Sequence, residues 1–241
     1  MKKSIQETIL GGGQSAASVV RIGDKVHRSK STNYKFVHTV LRHLEKQNFP
    51  YAPKFWGIDE QGREILTYIK GEVPREITLT LQQKIDSIKI LRAFHDSFNN
   101  TTFTNNFETV CHYDFAPWNI IVSNDKVVGL IDYDEVAPGD RIDDVAYFIW
   151  TFLELGVASI PDHEQIQNIA KLVEAYDLAD KENLIHAFQK QQTRILEFRK
   201  KNYQLAGDPS EKEMNGNAIL KIEKSMRWVR TNRSSILATM Q

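Results

Sequence analysis

A single cysteine, Cys111, in 241 residues excludes an internal disulfide framework. Its place beside His112 invites a catalytic reading, but a lone cysteine in a short apolar run reads first as a small buried strand residue. Net charge is absent as well. The 31 basic residues balance 31 acidic ones, which argues against a general nucleic-acid binder. A long apolar run is the third thing missing. The opening MKKSIQETIL has no continuous apolar segment behind its lysines, and no stretch reaches the roughly 20 residues of a membrane span, so a cytoplasmic location is expected. What the chain does have is 41% hydrophobic content, enough for a sizeable core divided between two lobes.

Charge is balanced overall but not locally. Residues 131 to 180 hold 12 acids against two bases, Arg141 and Lys171, whereas residues 181 to 241 hold 12 bases and 6 acids. Acids in such a stretch suit a cationic amino substrate, although several of them have other duties below. The basic tail, including Arg194, Arg199, Lys200 and Lys201, fits a solvated helix face.

The most informative stretch runs from 112 to 144. His112, Asp114 and Asn119 stand in CHYDFAPWNII, Asp132 and Asp134 in LIDYDEVAPGD, and Asp144 in RIDDVAYFIW. Residues 109 to 112, 120 to 123 and 126 to 131 read as short strands, the last two joined by an Asn124-Asp125 turn. The acids therefore sit at strand ends, on loops with a rigid support, where catalytic groups concentrate. Asp114, Asn119 and Asp132 supply hard oxygens of the kind magnesium prefers. Phosphoryl transfer needs such ligands together with one group that orients the attacking hydroxyl. A His-x-Asp-x4-Asn match alone is cheap. The apolar strand ending in Asp132, followed by a Pro138-Gly139-Asp140 turn and an apolar helix, makes the combined pattern specific.

Those segments resemble the aminoglycoside phosphotransferase and choline kinase family, small-molecule relatives of the protein kinases, over nearly the whole chain. HYDFAPWN is similar to the family's catalytic loop, IDYDEVAPGD to its metal-binding segment and DDVAYFIW to the helix that follows. The resemblance implies Asp114 as catalytic base, Asn119 and Asp132 as magnesium ligands, and His112 as a structural brace of the loop. Asp134 is assigned to metal-bound water or to substrate, and Asp140 and Asp144 to capping the turn and the helix. The implied fold is α+β and protein-kinase-like, with a small antiparallel β lobe carrying one helix (1–70) and a larger, mainly helical lobe for catalysis and acceptor binding (71–241).

Upstream, Gly11, Gly12 and Gly13 between two strand-like runs are either a phosphate-binding turn or an ordinary hairpin loop. In Lys25-Val26-His27-Arg28, strand alternation sends Arg28 into the cleft if Val26 packs inward, making Arg28 the phosphate contact. The family has a lysine here, paired with a glutamate from the next helix. That helix, about Asn33 to Gln47, has its core face at Val37, Val40, Leu41 and Leu44 and its sole acid at Glu45, while the family's glutamate falls near Val37 or His38. Arginine can hold phosphate without a clamping carboxylate, since it stays charged and offers a rigid fork of donors. YIKGEVP resembles the linker between lobes, with the backbone of Thr67, Tyr68, Ile69 and Lys70 meeting the adenine of ATP or GTP.

Helices are expected from about Thr80 to Asn99, Asp144 to Leu155, Asp162 to Tyr176, Glu182 to Tyr203 and Glu211 to Ala238. His95 reads as a packed or capping histidine, and Trp150, Trp228 and Tyr203 as core aromatics or acceptor-site lining. The reading is a monomeric or weakly dimeric magnesium-dependent kinase of a small hydroxyl compound, an aminoglycoside or related antibiotic among the candidates, with neither nucleic acid nor membrane as partner. A noncatalytic nucleotide-binding module is the alternative, prompted by the absent lysine–glutamate pair. A two-metal phosphohydrolase is weaker, because only His112 lies near the acids.

Overall fold

The computed structural model describes residues 7–10, 19–74 and 79–240. The chain divides into two compact units, Met1–Pro74 with Trp118–Val136, and Arg75–Pro117 with Ala137–Gln241. The expected boundary near residue 70 thus lies close to the first crossing, but residues 118 to 136 group with the first unit rather than with the helical part. Backbone pairing explains this. Glu72 and Val122 exchange both N–H···O bonds at 2.9 Å, and the Leu130 N–H donates to the Tyr51 carbonyl at 2.8 Å.

In the first unit, β1 (Glu7–Ile9), β2 (Val20–Ile22), β3 (Lys25–Arg28), β4 (Phe55–Ile58) and β5 (Glu64–Thr67) form an antiparallel sheet in the order β1-β2-β3-β5-β4. The helix α1 (Tyr34–Lys46) buries Val37, Val40, Leu41 and Leu44 as its spacing predicts, and His38 with them. A separate hairpin pairs β7 (Ile120–Ser123) with β8 (Lys126–Leu130). Its two-residue turn puts Asn124 and Asp125 at φ 50° and 61°, the doubly left-handed geometry that asparagine and aspartate tolerate best.

The second unit is mainly helical: α2 (Leu81–Asp96), α3 (Arg141–Leu153), α4 (Asp162–Tyr176), α5 (Leu184–Leu205), α6 (Pro209–Thr231) and α7 (Arg233–Thr239). A capping box between Thr80 and Gln83 starts α2, whose Ile88, Leu91 and Phe94 are fully buried. Two expectations are corrected here. The expected Pro138-Gly139-Asp140 turn is instead a short strand, β9 (Ala137–Gly139), paired with β6 (Thr109–Cys111), so that α3 begins at Arg141 and not at Asp144. The single helix expected from 211 to 238 is interrupted at Asn232, whose side-chain amide and backbone N–H both donate to the Trp228 carbonyl. Asparagine offers the chain this local alternative to helical bonding. Among the described residues, no helix is long and apolar enough to cross a membrane.

The α+β, kinase-like fold expected from the sequence is the fold observed. At Gly71, φ is 154° and a Cβ would stand 2.5 Å from the Val122 carbonyl oxygen, so the close approach of this segment to β7 depends on a missing side chain. Gly71→Ala is expected to destabilise the protein by about 1–3 kcal/mol, the cost typical of a strained backbone position, as read from denaturant unfolding.

Candidate active site

The candidate catalytic loop leaves β6 at His112 and is held by one buried carboxylate. Asp144, on the first turns of α3, accepts the His112 N–H on Oδ2 at 2.5 Å and the Tyr113 N–H on Oδ1 at 2.8 Å. His95 Nε2 lies 3.0 Å from Oδ2, and its Nδ1 lies 2.6 Å from the Tyr176 hydroxyl. With Asp144 ionised, Nε2–H donates to the carboxylate and Nδ1 accepts from Tyr176. Burial keeps the His95 pKa below its ordinary value, consistent with a neutral ring. Burial pushes the Asp144 carboxyl up, but the His95 hydrogen bond and the His112 backbone amide outweigh it, and its pKa ends below the usual carboxylate range.

Asp144 is therefore a brace of the loop and not the helix cap that the resemblance implied. Asp140 does occupy the N-cap position, but its side chain makes no cap hydrogen bond. His112 is fully buried, with its ring 6.0 Å from Phe94 and 5.9 Å from Phe115. His95, Cys111 and Asp144 also approach one another closely enough to suggest a metal centre. Both nitrogens of His95 and both oxygens of Asp144 are already committed to hydrogen bonds, which makes this a packing network.

Tyr113 adopts φ 61°, a left-handed turn between His112 and Asp114. Asp114 itself is half-buried, and its Oδ1 accepts the hydroxyl hydrogen of Tyr147 at 2.7 Å. Burial and the adjacent carboxylate both push the Tyr147 phenol well above its ordinary pKa, so it stays a proton donor to Asp114. Arg194, from α5, donates to the Tyr113 carbonyl at 3.0 Å.

The first unit gathers a second set of groups. Arg28 donates from Nε to Glu64 Oε1 at 2.5 Å, from Nη2 to Asp134 Oδ1 at 2.5 Å, and from Nη1 to Asp132 Oδ1 at 3.3 Å. Burial opposes its charge, but the three carboxylates prevail and raise its pKa further. The partner that was absent from the helix comes from the neighbouring strand. Glu64 stands opposite Arg28 in the β3–β5 register, is 1% exposed, and also holds His38 Nε2 at 2.8 Å through its other oxygen. The helix contributes a histidine to this cluster, and the acid comes from across the sheet.

Asn119 and Asp132 are brought together, since the Ile131 N–H donates to the Asn119 carbonyl at 2.8 Å. Asp132 is exposed and adopts φ 63°. Glu64, Asp132 and Asp134 around one guanidinium leave two negative charges in excess. Burial raises the Asp134 carboxyl, and Asp132 and Glu64 add to this against the pull of Arg28. Hard oxygens with a local deficit of positive charge suit a divalent cation of magnesium's kind. The linker is narrower than expected: the Thr67 and Tyr68 amides donate to the carbonyls of Lys54 and Asp24, which leaves Ile69 and Lys70 as its amide donors. Gly11, Gly12 and Gly13 lie outside the described residues.

Residues 102–177, which contain the loop, the acids and α3, match the family described as "Phosphotransferase enzyme family". The chain carries a phosphotransferase-family segment. The match covers that segment alone, and solved structures show the fold of the whole. The chain has the fold of a choline/ethanolamine kinase family protein from Mesorhizobium loti, with TM-score 0.65, 13% identity, and coverage of 98% of this chain and 92% of that one. It also has the fold of an aminoglycoside phosphotransferase from Alicyclobacillus acidocaldarius, with TM-score 0.58, 13% identity, and coverage of 90% and 89%. A curated relative, the "Trifolitoxin immunity protein" of Rhizobium leguminosarum bv. trifolii, is 29% identical over 163 residues, 61% of this chain. The match spans 62% of that relative's length.

Glu64, Tyr147 and the loop-bracing role of Asp144 are the residues that sequence reasoning missed. A signal for Glu64 existed, because EILT alternates and the acid falls in phase with Leu66, which is buried. Asp144→Ala is expected to cost about 3–5 kcal/mol in chemical unfolding, because its removal orphans two loop amides and a buried imidazole. The depressed His95 pKa adds a pH signature. Below about 6.5 the unfolded chain takes up a proton that the folded chain resists, so stability present above that pH is lost as pH falls. The melting temperature of His95→Phe is expected to be lower at pH 7.5 and to fall less steeply between about pH 6.5 and 5.

Proposed function

We propose that this chain transfers the γ-phosphate of ATP or GTP to a hydroxyl of a small molecule in a magnesium-dependent reaction. The observation that carries the reading is the setting of Asp114, a half-buried carboxylate with one oxygen tied to Tyr147 on a loop clamped by Asp144. Held in this way, Asp114 accepts the acceptor's hydroxyl proton or orients that hydroxyl for attack. His112 and Asp144 keep the loop in register. Asn119 and Asp132 would hold magnesium, with Asp134 serving the ion or the substrate, and the bound ion would supply positive charge for the nucleotide phosphates. Arg28, fixed from behind by Glu64, adds a positive charge beside those acids. The backbone of Ile69 and Lys70 offers the remaining linker amides to a purine.

The names of similar proteins support the same class. Among solved structures of this fold is an aminoglycoside phosphotransferase held with streptomycin and ATP. We place the protein, on this reading, among cytoplasmic kinases acting as a monomer or weak homodimer, with neither nucleic acid nor membrane as partner. One observation favours a noncatalytic nucleotide-binding module instead: each nitrogen of the Arg28 guanidinium already donates to a carboxylate. Asp114, Asn119 and Asp132 together are of no use to such a module, and this weighs toward catalysis.

The test is magnesium-dependent ADP release from ATP with pooled hydroxyl compounds. Release that requires a pool and falls about 10²–10⁴-fold in Asp114→Asn is the expected result. No release from any pool, with ATP still raising the melting temperature, would establish the noncatalytic reading.

A further inference from the structure

The residue before the candidate base is held from three sides. Tyr113 keeps φ at 61°, a left-handed conformation that persists in a non-glycine residue only where the surroundings over-determine it. Its N–H is taken by Asp144 Oδ1 at 2.8 Å, and its hydroxyl lies over Gly139, where a Cβ would collide with it. Its carbonyl accepts from Arg194 Nη2 at 3.0 Å. That carbonyl and the Asp114 N–H belong to one planar peptide unit, so the bond from Arg194 sets the direction in which Asp114 leaves the turn.

Arg194 reaches the other support of Asp114 as well. Its guanidinium lies 5.7 Å from the centre of the Tyr147 ring and 5.5 Å from that of Tyr113, within the range of cation–π attraction. Tyr147 is the donor to Asp114 Oδ1. The guanidinium is itself aimed, because its Nε donates at 3.0 Å to the amide oxygen of Gln191, a buried residue one turn back on α5. The helix is anchored at the same place. Lys190 holds Asp143 at 2.6 Å, and Lys190 stands four residues before Arg194 as Asp143 stands four before Tyr147. Residues so spaced share a helix face, so α5 and α3 meet in two successive rungs, Lys190 on Asp143 and Arg194 over Tyr147. The hydrogen bonds of Arg194 go to a carbonyl and an amide oxygen, both neutral, and what they supply is direction rather than charge balance.

We propose that Arg194 is a positioning residue for Asp114, fixing at once the peptide that carries the candidate base and the ring of the tyrosine that holds it. The catalytic consequence rests on the phosphotransferase reading, whereas the ordered turn at Tyr113 does not. Arginine suits the role, because one planar fork bonds a carbonyl, takes an aiming bond through Nε and lies against aromatic rings, a combination that the point charge of lysine reproduces only in part.

The test compares Arg194→Met, Arg194→Lys and Lys200→Met in the full chain, the last removing a more exposed cation of the same helix that pairs with Glu223 at 3.7 Å. ADP release is measured with whichever of choline, kanamycin, glycerate and glucose the wild type phosphorylates. Arg194→Met is expected to lower kcat about 10–100-fold while KM for ATP and for the acceptor stay within about twofold. Arg194→Lys recovers part of that loss, and Lys200→Met keeps the wild-type kcat. An unchanged kcat in Arg194→Met, or a loss confined to KM, overturns the proposal. Amide hydrogen exchange over residues 112–114 reads the turn without turnover. Exchange there about tenfold faster in Arg194→Met, beyond any change at the core amides of α2, is expected, and an increase no larger than that at α2 overturns the proposal. If none of the four compounds is phosphorylated, the kinase reading falls and exchange alone decides the role of Arg194. Should Arg194→Met fail to fold, the same measurements on Arg194→Lys decide, with kcat and exchange equal to the wild type as the overturning result.

Discussion

A carboxylate placed in a protein interior must find donors for its oxygens, and Asp144 finds them in the backbone of the loop that follows β6. Because the His112 and Tyr113 amides converge on one fully buried side chain, the chain leaving β6 has little freedom, and Tyr113 takes up a left-handed turn. The same helix finishes the arrangement. Tyr147 lies three residues after Asp144, on the same face of α3, and its hydroxyl reaches Asp114. One helix thus both braces the loop and holds its acid, so the candidate base inherits the rigidity of a buried core. His95 extends the brace to α2 and, through Tyr176, to α4.

The first unit solves the converse problem. A partly buried guanidinium needs acceptors, and Arg28 has three, drawn from β5 and from the segment after β8. Glu64 has both oxygens committed, one to Arg28 and one to His38, which locks strand, sheet and helix α1 around a single carboxylate. The stacking of His38 on Phe55 at 3.7 Å adds a fourth element to this junction. The acid that clamps Arg28 is thus borne by a strand, with a histidine behind it. The positive charge is kept in place, but it is supported from the sheet.

Much of the fold was legible because it depends on short-range patterns. The stripe Val37, Val40, Leu41 and Leu44 marked α1, and Ile88, Leu91 and Phe94 marked α2, because helical periodicity is written in consecutive residues. Asn124-Asp125 marked its hairpin, because those side chains tolerate left-handed backbone. The failures have local causes as well. β9 contains Pro138 and Gly139, which read as a turn, and only pairing with β6 makes them a strand. The amides of Thr67 and Tyr68 looked available because nothing in their own sequence shows the carbonyls of Lys54 and Asp24 that occupy them.

By itself the sequence determined which oxygens are on offer: Asp114, Asn119, Asp132 and Asp134 stand at strand ends within one short stretch, and their spacing along the chain suffices to identify them. Tertiary structure decided how those oxygens are held and charged. Glu64 lies 36 residues from Arg28, Asp144 lies 32 from His112 and 49 from His95, and Tyr147 lies 33 from Asp114. Partners at such separations are chosen by strand register and by which helix face is buried. Register and packing are properties of the folded chain as a whole, and no window of neighbouring residues contains them.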